Sequence, residues 1–250
     1  MKKTYTICDR VDGFGAQYQA FMSGIAYCDH MNYDYVHTPI KSMNTVKRID
    51  WSDERKKSVC LKKINAFMGI PDGITTHGIK IYNNIEIKKK DESLVHKSEN
   101  PDKYYTEEVL NKIRHYYYST EKPNIKEVDI AIHIRRGNVT STGRWVKRYT
   151  DNETYIKIIN HLKNKYPDRK ISIFSEGKKE DFSELISNNV EFRLNETMEE
   201  TYHSFVKAKI LVIAKSSFSY SAGLLNENIV YYAENFWHKP LNKWKRFDFI

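Results

Sequence analysis

Short apolar segments alternate regularly with amphipathic segments through the second half of the chain. The apolar segments have the length of strands, and the amphipathic ones carry apolar residues at helical spacing. The predicted strands are residues 128–134, 170–177, the segment VEFRL, 209–217 and 229–233, and the predicted helices are 152–165, 179–188, 197–207 and 219–226. This alternation predicts an α/β fold in which a parallel sheet carries helices on both faces.

The first half of the chain follows a less regular pattern of the same type. We predict strands at 4–8, in the segment YDYVHTP and near 79–87, and helices at 17–31 and near 53–68 and 106–118. The segment STEKPNIKEVD, residues 119–129, has the composition of a linker. We therefore predict two domains, residues 1–122 and 123–250.

Charged and small polar residues follow directly after three of the strands predicted in the second half. The segments are HIRRGN (133–138), FSEG (174–177) and AKSSFSYSAG (214–223). Ligands of parallel α/β sheets bind beyond the carboxyl ends of the strands. These three loops are therefore expected to converge on one site.

Two features of these loops favour a phosphate ligand. Arg135 and Arg136 supply guanidinium groups, which suit bidentate contact with phosphate oxygens. Ser216, Ser217 and Ser219 lie near the predicted start of a helix, where free N–H groups bind anions. Each feature alone is more often structural, an ion-pair site or a helix cap. Their placement on adjacent strand ends predicts a diphosphate.

The overall charge agrees with an anionic partner. The 41 basic and 32 acidic residues give a formal net charge of +9, although the excess is spread in short runs typical of a solvated surface. No zinc-finger spacing, RNP motif or helix-turn-helix pattern occurs, so nucleic acid is not a predicted partner. No Asp-x-Asp pair occurs either, which favours a site without a metal ion.

The predicted location is the cytoplasm, of a bacterium or of a cell that hosts a large virus. Cys8, Cys28 and Cys60 form no CxxC pair, as expected for a reducing compartment. The first residues lack the apolar core of a signal peptide. No window of about 18 apolar residues predicts a membrane span.

Several segments resemble the fucosyltransferase superfamily, which comprises α-1,2-, α-1,6- and protein O-fucosyltransferases. HIRRGN is similar to its H-x-R-R-G-D motif, IFSEG to the strand that follows, and AKSSFSYSAGLLN to its serine-rich loop. Near the N-terminus, DGFGAQYQAFMSGIAYC resembles its G-G-x-G-N-Q segment, and FWHKPL (236–241) resembles a closing segment of related proteins. The resemblance covers both ends of the chain.

The resemblance implies a GT-B-like arrangement, in which two Rossmann-like halves face a cleft that holds a nucleotide sugar. It implies an inverting, metal-independent enzyme without a cofactor, which transfers a sugar, with fucose the first expectation, to a carbohydrate hydroxyl. Arg136 would stabilise the departing diphosphate. The residues expected to bind the donor are Gly13, Phe14, Gly15, His133, Arg135, Arg136, Gly137, Asn138, Ser175, Glu176, Ser216, Ser217, Phe218 and Ser219.

Two departures from the family pattern leave the donor open. Asn138 stands where the family has an acidic residue, and Glu176-Gly177 replaces an acidic pair in a region that helps relatives to recognise guanine. A UDP-sugar such as UDP-xylose is therefore an alternative to GDP-fucose. A nucleotide-sugar-binding protein without catalytic activity is a further alternative.

The base that deprotonates the acceptor hydroxyl is also open. Asp12, beside the first glycine loop, is the first candidate, because an inverting transfer usually uses a carboxylate or a histidine. The other candidate bases are Asp9, His37 and His77. Gln17 and Tyr18 are expected to face the same site.

Overall fold

The computed structural model describes residues 4–7, 10–43, 53–71, 85–86, 95, 97–187, 189–233 and 236–249. The chain divides into two compact units, Met1–Lys122 with Trp237–Leu241, and Pro123–Phe236 with Asn242–Ile250. The segment 237–241, which was predicted to belong to the second domain, is grouped with the first unit. This segment belongs to the first unit because His238 is buried there, with one ring nitrogen 3.0 Å from Nε2 of Gln19.

The first unit is built on three short parallel strands. They are β1 (Thr4–Tyr5), β2 (Asp34–Tyr35) and β3 (Ile85–Glu86), in the order β2-β1-β3. Its helices are α1 (Phe14–Met31), α2 (Glu54–Met68) and α3 (Glu107–Tyr118), with a 3-10 helix at Pro101–Lys103. The predicted ends of α2 and α3 are correct to within one residue, because each helix starts at a side-chain cap. Asp53 accepts the N–H of Arg55, and Thr106 accepts that of Val109.

The second unit contains a six-stranded sheet in which every strand pair is parallel. Its order is β6-β5-β4-β7-β8-β9. The strands are β4 (Ile130–His133), β5 (Ile171–Ser175), β6 (Val190–Leu194), β7 (Ile210–Ile213), β8 (Ile229–Tyr232) and β9 (Lys245–Arg246). The helices are α4 (Asn152–Lys165), α5 (Met198–Lys207) and α6 (Ser217–Leu225), with 3-10 helices at Val146–Arg148 and Lys179–Leu185.

Both faces of this sheet are covered by helices. Ile130 and Ile132 of β4 lie in one apolar cluster with Ile158 of α4. On the other face, the ring of Phe174 of β5 packs 5.1 Å from that of Phe205 of α5. Because alternate residues of a strand point to opposite faces, an apolar strand of this kind needs a helix on each side. The predicted α/β class, with a parallel sheet and helices on both faces, is confirmed.

Several predicted element ends differ from the structure. Helix α1 begins at Phe14 rather than at Gln17, and β7 ends at Ile213. The segment predicted as a helix at 179–188 forms a 3-10 helix over Lys179–Leu185, which is kinked at Phe182, where the backbone angles are non-helical, φ −126° and ψ 19°. Strand β9 was not predicted, since its two exposed basic residues show no apolar pattern. Cys8, Asp9, His77 and residues 79–84 lie outside the described residues.

Among the described residues, no helix combines the length and the apolar character that a membrane crossing requires. In the same part of the chain, no cluster of three or more His, Cys, Asp and Glu side chains is placed to hold a metal ion.

Candidate functional site

Arg135 joins the loop after β4 to the loop after β5. Its Nη1 donates to Oε2 of Glu176 at 2.8 Å and to the carbonyl of Arg136 at 2.7 Å, and its Nη2 donates to Oδ1 of Asn138. Three predicted site residues are thus brought together, but their polar groups bind one another. The positive charge of Arg135 is offset by the Glu176 carboxylate.

Gly137 makes this network possible. Its φ is +78°, in the left-handed region that side chains rarely adopt. A Cβ at this position would lie 2.1 Å from Oε2 of Glu176. The glycine of the HIRRGN segment is therefore favoured by its left-handed backbone, whereas the Glu176 carboxylate is the end of a flexible side chain and could move.

Arg136 is held in a different way, by neutral groups. Its Nη2 donates to Oδ1 of Asn152 at 2.8 Å, and its Nη1 to the carbonyl of Arg135 at 3.1 Å. The guanidinium carbon lies 4.4 Å from the ring centroid of Tyr149 and 6.0 Å from that of Tyr155. Within the described residues, no carboxylate pairs with this half-buried side chain. A positioned cation without a counter-charge is suited to bind an anion.

Asn152 is a site residue that sequence reasoning missed. The sequence places it at the start of α4, where the cap is Asp151, whose Oδ1 accepts the N–H of Thr154 at 2.7 Å. The Asn152 side chain turns instead toward Arg136, and its Nδ2 donates to the carbonyl of Asp181 at 3.2 Å. The only feature of the sequence that could have indicated this role is the amide side chain of Asn152 directly after the cap residue Asp151.

Asn152→Ala is expected to weaken nucleotide binding while leaving the fold intact. It removes one hydrogen bond to a charged group, so affinity should fall about tenfold. Asp151→Ala is the matched control, because loss of this cap should cost about 1 kcal/mol of stability without a comparable loss of affinity. Calorimetric titration with GDP and UDP and urea unfolding of both variants test this. Equal affinities for Asn152→Ala and the wild type would contradict the role.

His133 is the last residue of β4, and its side chain is buried against aromatic rings of α5 and α6. The side chain is 7% exposed, and its Nδ1 atom is buried without a hydrogen-bond partner. Its ring lies 5.2 Å from that of Phe205 and 6.0 Å from that of Phe218. Burial, together with the positive charge of Arg135, lowers the pKa of His133 to about 3. The imidazole is therefore neutral at physiological pH.

Two hydroxyl groups of the serine loop form hydrogen bonds within the loop and the helix that follows it. Helix α6 begins at Ser217, earlier than predicted, because the Ser216 hydroxyl caps it and accepts the N–H of Phe218 at 3.3 Å. Ser219 is fully buried, and its Oγ accepts the N–H of Ala214 at 3.1 Å. Its side chain is therefore turned inward, contrary to the expectation that it binds phosphate. Ser217 and Phe218 remain partly exposed.

Ser175 supports the strand ends. Its hydroxyl donates to the carbonyl of Ile134 at 2.8 Å and to that of Glu176 at 3.2 Å. Together with the parallel pairing of β4 with β5 and β7, this places the three predicted loops along one edge of the sheet. The predicted convergence within the second unit is thus present.

The predicted residues of the first unit surround the start of α1. Gly13 is the residue before the helix, with φ −67°, and Gly15 lies in its first turn. Phe14 is 4% exposed and packs against Phe67, with ring centroids 6.0 Å apart. Phe14 is therefore a core residue, and its contact with the donor stays a prediction. Asp12 is about half exposed and pairs with Arg10 at 2.7 Å.

Gln17 and Tyr18, which were expected to face the site, are buried within the first unit. Gln17 is 1% exposed, and its Nε2 donates to the carbonyls of Asp12 and Ser42 at 2.7 and 2.8 Å. Tyr18 is fully buried, and its hydroxyl donates to the carbonyl of Met68 at 3.2 Å. Both side chains hold the first unit together.

His37, a candidate base, is also a core residue. It is 2% exposed and its ring packs edge-on against that of Phe21, with centroids 4.7 Å apart. Burial lowers the pKa of His37 to about 4. A histidine in this position supports the core of the first unit and has no access to an acceptor hydroxyl.

Comparison with known proteins finds similar structures but no similar sequences. No family model matches the chain, and no curated protein matches it. E. coli heptosyltransferase WaaC with ADP-2-deoxy-2-fluoro heptose is 11% identical, with 98% of this chain and 92% of that chain covered and a TM-score of 0.47. POFUT1 in complex with GDP-fucose is 10% identical, with 91% and 94% covered and a TM-score of 0.45. Fucosyltransferase NodZ from Bradyrhizobium is 10% identical, with 90% and 93% covered and a TM-score of 0.40.

Proposed function

We propose that this chain is a glycosyltransferase that uses a nucleotide-diphosphate sugar as donor and a carbohydrate hydroxyl as acceptor. The proposal is supported above all by Arg136, a half-buried guanidinium held by Asn152 and two tyrosine rings without a carboxylate among the described residues. The position of this cation, at the carboxyl end of a central parallel strand, is where such sheets bind ligands. The motif resemblance described above adds the class of reaction.

The proposed reaction is a single displacement at the anomeric carbon of the donor. The acceptor oxygen forms a bond to this carbon, and the bond from the carbon to the phosphate oxygen breaks. The nucleoside diphosphate leaves with the electron pair, and the acceptor proton passes to a base. Arg136 stabilises the charge that develops on the departing phosphate, a contribution that fixed donors make without reorganisation. We propose that this charge replaces a metal ion, so that transfer proceeds in EDTA.

Asp12 remains the base that we propose. Its carboxylate is about half exposed, and carboxylates are common general bases in inverting transfer. The pair with Arg10 leaves one carboxylate oxygen, Oδ1, for the acceptor hydroxyl. Asp12→Asn, which keeps the size of the side chain, is the variant that separates this role from a structural one.

Fucose on GDP is the donor that we propose first, with a UDP-sugar such as UDP-xylose as the alternative. The alternative has one structural argument. Glu176 and Asn138, which replace acidic residues of the family pattern, both accept hydrogen bonds from Arg135. Polar groups that are hydrogen-bonded to a guanidinium are less available to a guanine base. The test must therefore compare nucleotides that differ in their nucleobase.

Titration of the protein with GDP, UDP and ADP in EDTA is the first experiment. We expect one nucleoside diphosphate to bind at least tenfold more tightly than its monophosphate, because the second phosphate adds a charge-assisted contact. The matching sugar nucleotides, GDP-fucose and UDP-xylose, are then assayed for release of the diphosphate in the presence of glycan acceptors. Absence of binding by all three diphosphates would refute the proposed function. Binding without turnover would identify a nucleotide-sugar-binding protein instead.

A further inference from the structure

The loop that follows Arg136 carries more positive charge than a donor diphosphate requires. Residues 135–148 contain five basic and no acidic side chains. Glu176 offsets Arg135, and Arg136 is assigned above to the donor. The other three basic residues are Arg144, Lys147 and Arg148. Arg148 has further interactions within the protein, so the inference below rests on Arg144 and Lys147. A diphosphate ester carries about two negative charges, for which Arg136 and the N–H groups at the start of α6 suffice.

Two of these basic side chains, those of Arg144 and Arg148, lie against one indole ring. The guanidinium carbons of Arg144 and Arg148 lie 4.9 and 4.4 Å from the ring centroid of Trp145. These two charges are therefore within about 9 Å of each other, close to the screening length of about 8 Å at physiological salt, and they repel. In the described residues, neither Arg144 nor Lys147 pairs with a carboxylate.

Backbone hydrogen bonds hold this arrangement in place. The N–H of Val146 donates to the carbonyl of Gly143 at 3.0 Å, and that of Arg148 to the carbonyl of Trp145 at 2.8 Å. The next N–H, of Tyr149, donates to the carbonyl of Val146 at 2.9 Å. Tyr149 is also the ring that lies over Arg136. The basic cluster and the proposed phosphate-binding arginine are thus connected by one ordered turn.

We propose that Arg144, Trp145 and Lys147 form an acceptor subsite for an acidic carbohydrate, and we call it the basic subsite. The inference rests on the proposed glycosyltransferase function and names the class of its acceptor. Arg144 and Lys147 bind a carboxylate or phosphate group, and the half-buried indole packs against the apolar face of a pyranose ring. A neutral acceptor would leave these charges without a counterpart.

Two pairs of oligosaccharides test this directly. Tetragalacturonate is compared with a neutral galactose tetrasaccharide, and maltotetraose bearing a 6-phosphate with maltotetraose itself, at 50 and 200 mM NaCl. We expect the wild type to bind the acidic member of at least one pair about tenfold more tightly, with the preference smaller at the higher salt. Preference for the uronate identifies a carboxylate sugar, and preference for the phosphate identifies a phosphorylated one. Equal binding within both pairs would overturn the proposal.

The decisive variant is Arg144→Gln/Lys147→Gln. It should remove the preference for acidic sugars and leave the affinity for the nucleoside diphosphate unchanged. Lys126→Gln/Lys207→Gln is the matched control, since it removes two exposed charges elsewhere in the second unit and should keep the preference. Loss of nucleotide binding in the first variant would assign these cations to the donor and overturn the proposal. Tighter binding of an eight-nucleotide single-stranded DNA than of either acidic sugar would also overturn it.

The same titrations separate this inference from the proposed function. If no nucleoside diphosphate binds but the basic subsite still selects acidic sugars, the transferase proposal fails and the subsite stands as a lectin-like site. If a diphosphate binds but neutral and acidic sugars bind equally, the basic subsite fails and the transferase proposal stands. Trp145→Ala adds a readout specific to sugar, because loss of the indole should weaken binding of the acidic oligosaccharides but not of inorganic phosphate.

Discussion

Arg136→Ala should lower the rate of sugar transfer about 100- to 1000-fold, the effect expected when one preorganised donor to a developing negative charge is removed. Affinity for the nucleoside diphosphate should fall less, about 10- to 100-fold, because the ground state carries less localised charge than the departing phosphate. The stability of the second unit should change little. Arg136 contributes its hydrogen bonds to one amide and one carbonyl and forms no ion pair with a carboxylate of the described residues.

Two further substitutions make this prediction specific. Arg136→Lys keeps the charge but cannot reach Asn152 and a phosphate with a planar fork, so it should recover only part of the affinity. Arg169→Ala removes an arginine from the same unit that is paired with Asp129 at 3.0 Å before β5, away from the carboxyl ends of the strands. It should leave nucleotide affinity unchanged. If Arg136→Ala binds and transfers as well as Arg169→Ala, Arg136 is a structural residue.

The contrast between the two adjacent arginines shows what the sequence could predict of the site. The pattern of an apolar strand followed by arginines and glycine correctly placed a polar loop at the carboxyl end of a central strand. The charge of Arg135 is offset by Glu176, which lies 41 residues further along the chain. Nothing local in the sequence distinguishes Arg135, which pairs with Glu176, from Arg136, which pairs with no carboxylate in the part of the chain that the structure describes. This difference appears only when β4 and β5 are adjacent.

In the first unit, the sequence did not show which polar side chains are buried. Glycines before a helix predicted an open loop near the donor, and Gln17 and Tyr18 were expected to face it. Their polar atoms instead satisfy backbone carbonyls within the core. A buried glutamine and an exposed one have the same local sequence signal, because burial is decided by the segments that pack on them. Helices with strong caps, by contrast, were predictable from a few residues, as α4 shows with the bounds 152–165.

The second large effect concerns stability at mildly acidic pH. The pKa of His133 is lowered to about 3 and that of His37 to about 4 in the folded chain, whereas an unfolded histidine titrates near about 6.5. Below that pH the unfolded chain binds more protons than the folded one, so stability is complete above pH 6.5 and is lost as the pH falls toward the folded values. Each histidine should cost about 2 kcal/mol at pH 5.

Urea unfolding at pH 7.5, 6.5, 5.8 and 5.0 measures this loss. His133→Gln should remove about 1.6 kcal/mol of the pH dependence between pH 6.5 and 5.0, because glutamine does not titrate, even if the variant is less stable at every pH. His115→Gln is the control, since it replaces a histidine that is exposed rather than buried. Equal slopes for the two variants would mean that His133 gains a proton in the folded chain. The description of His133 as a buried imidazole that stays neutral at physiological pH would then be wrong.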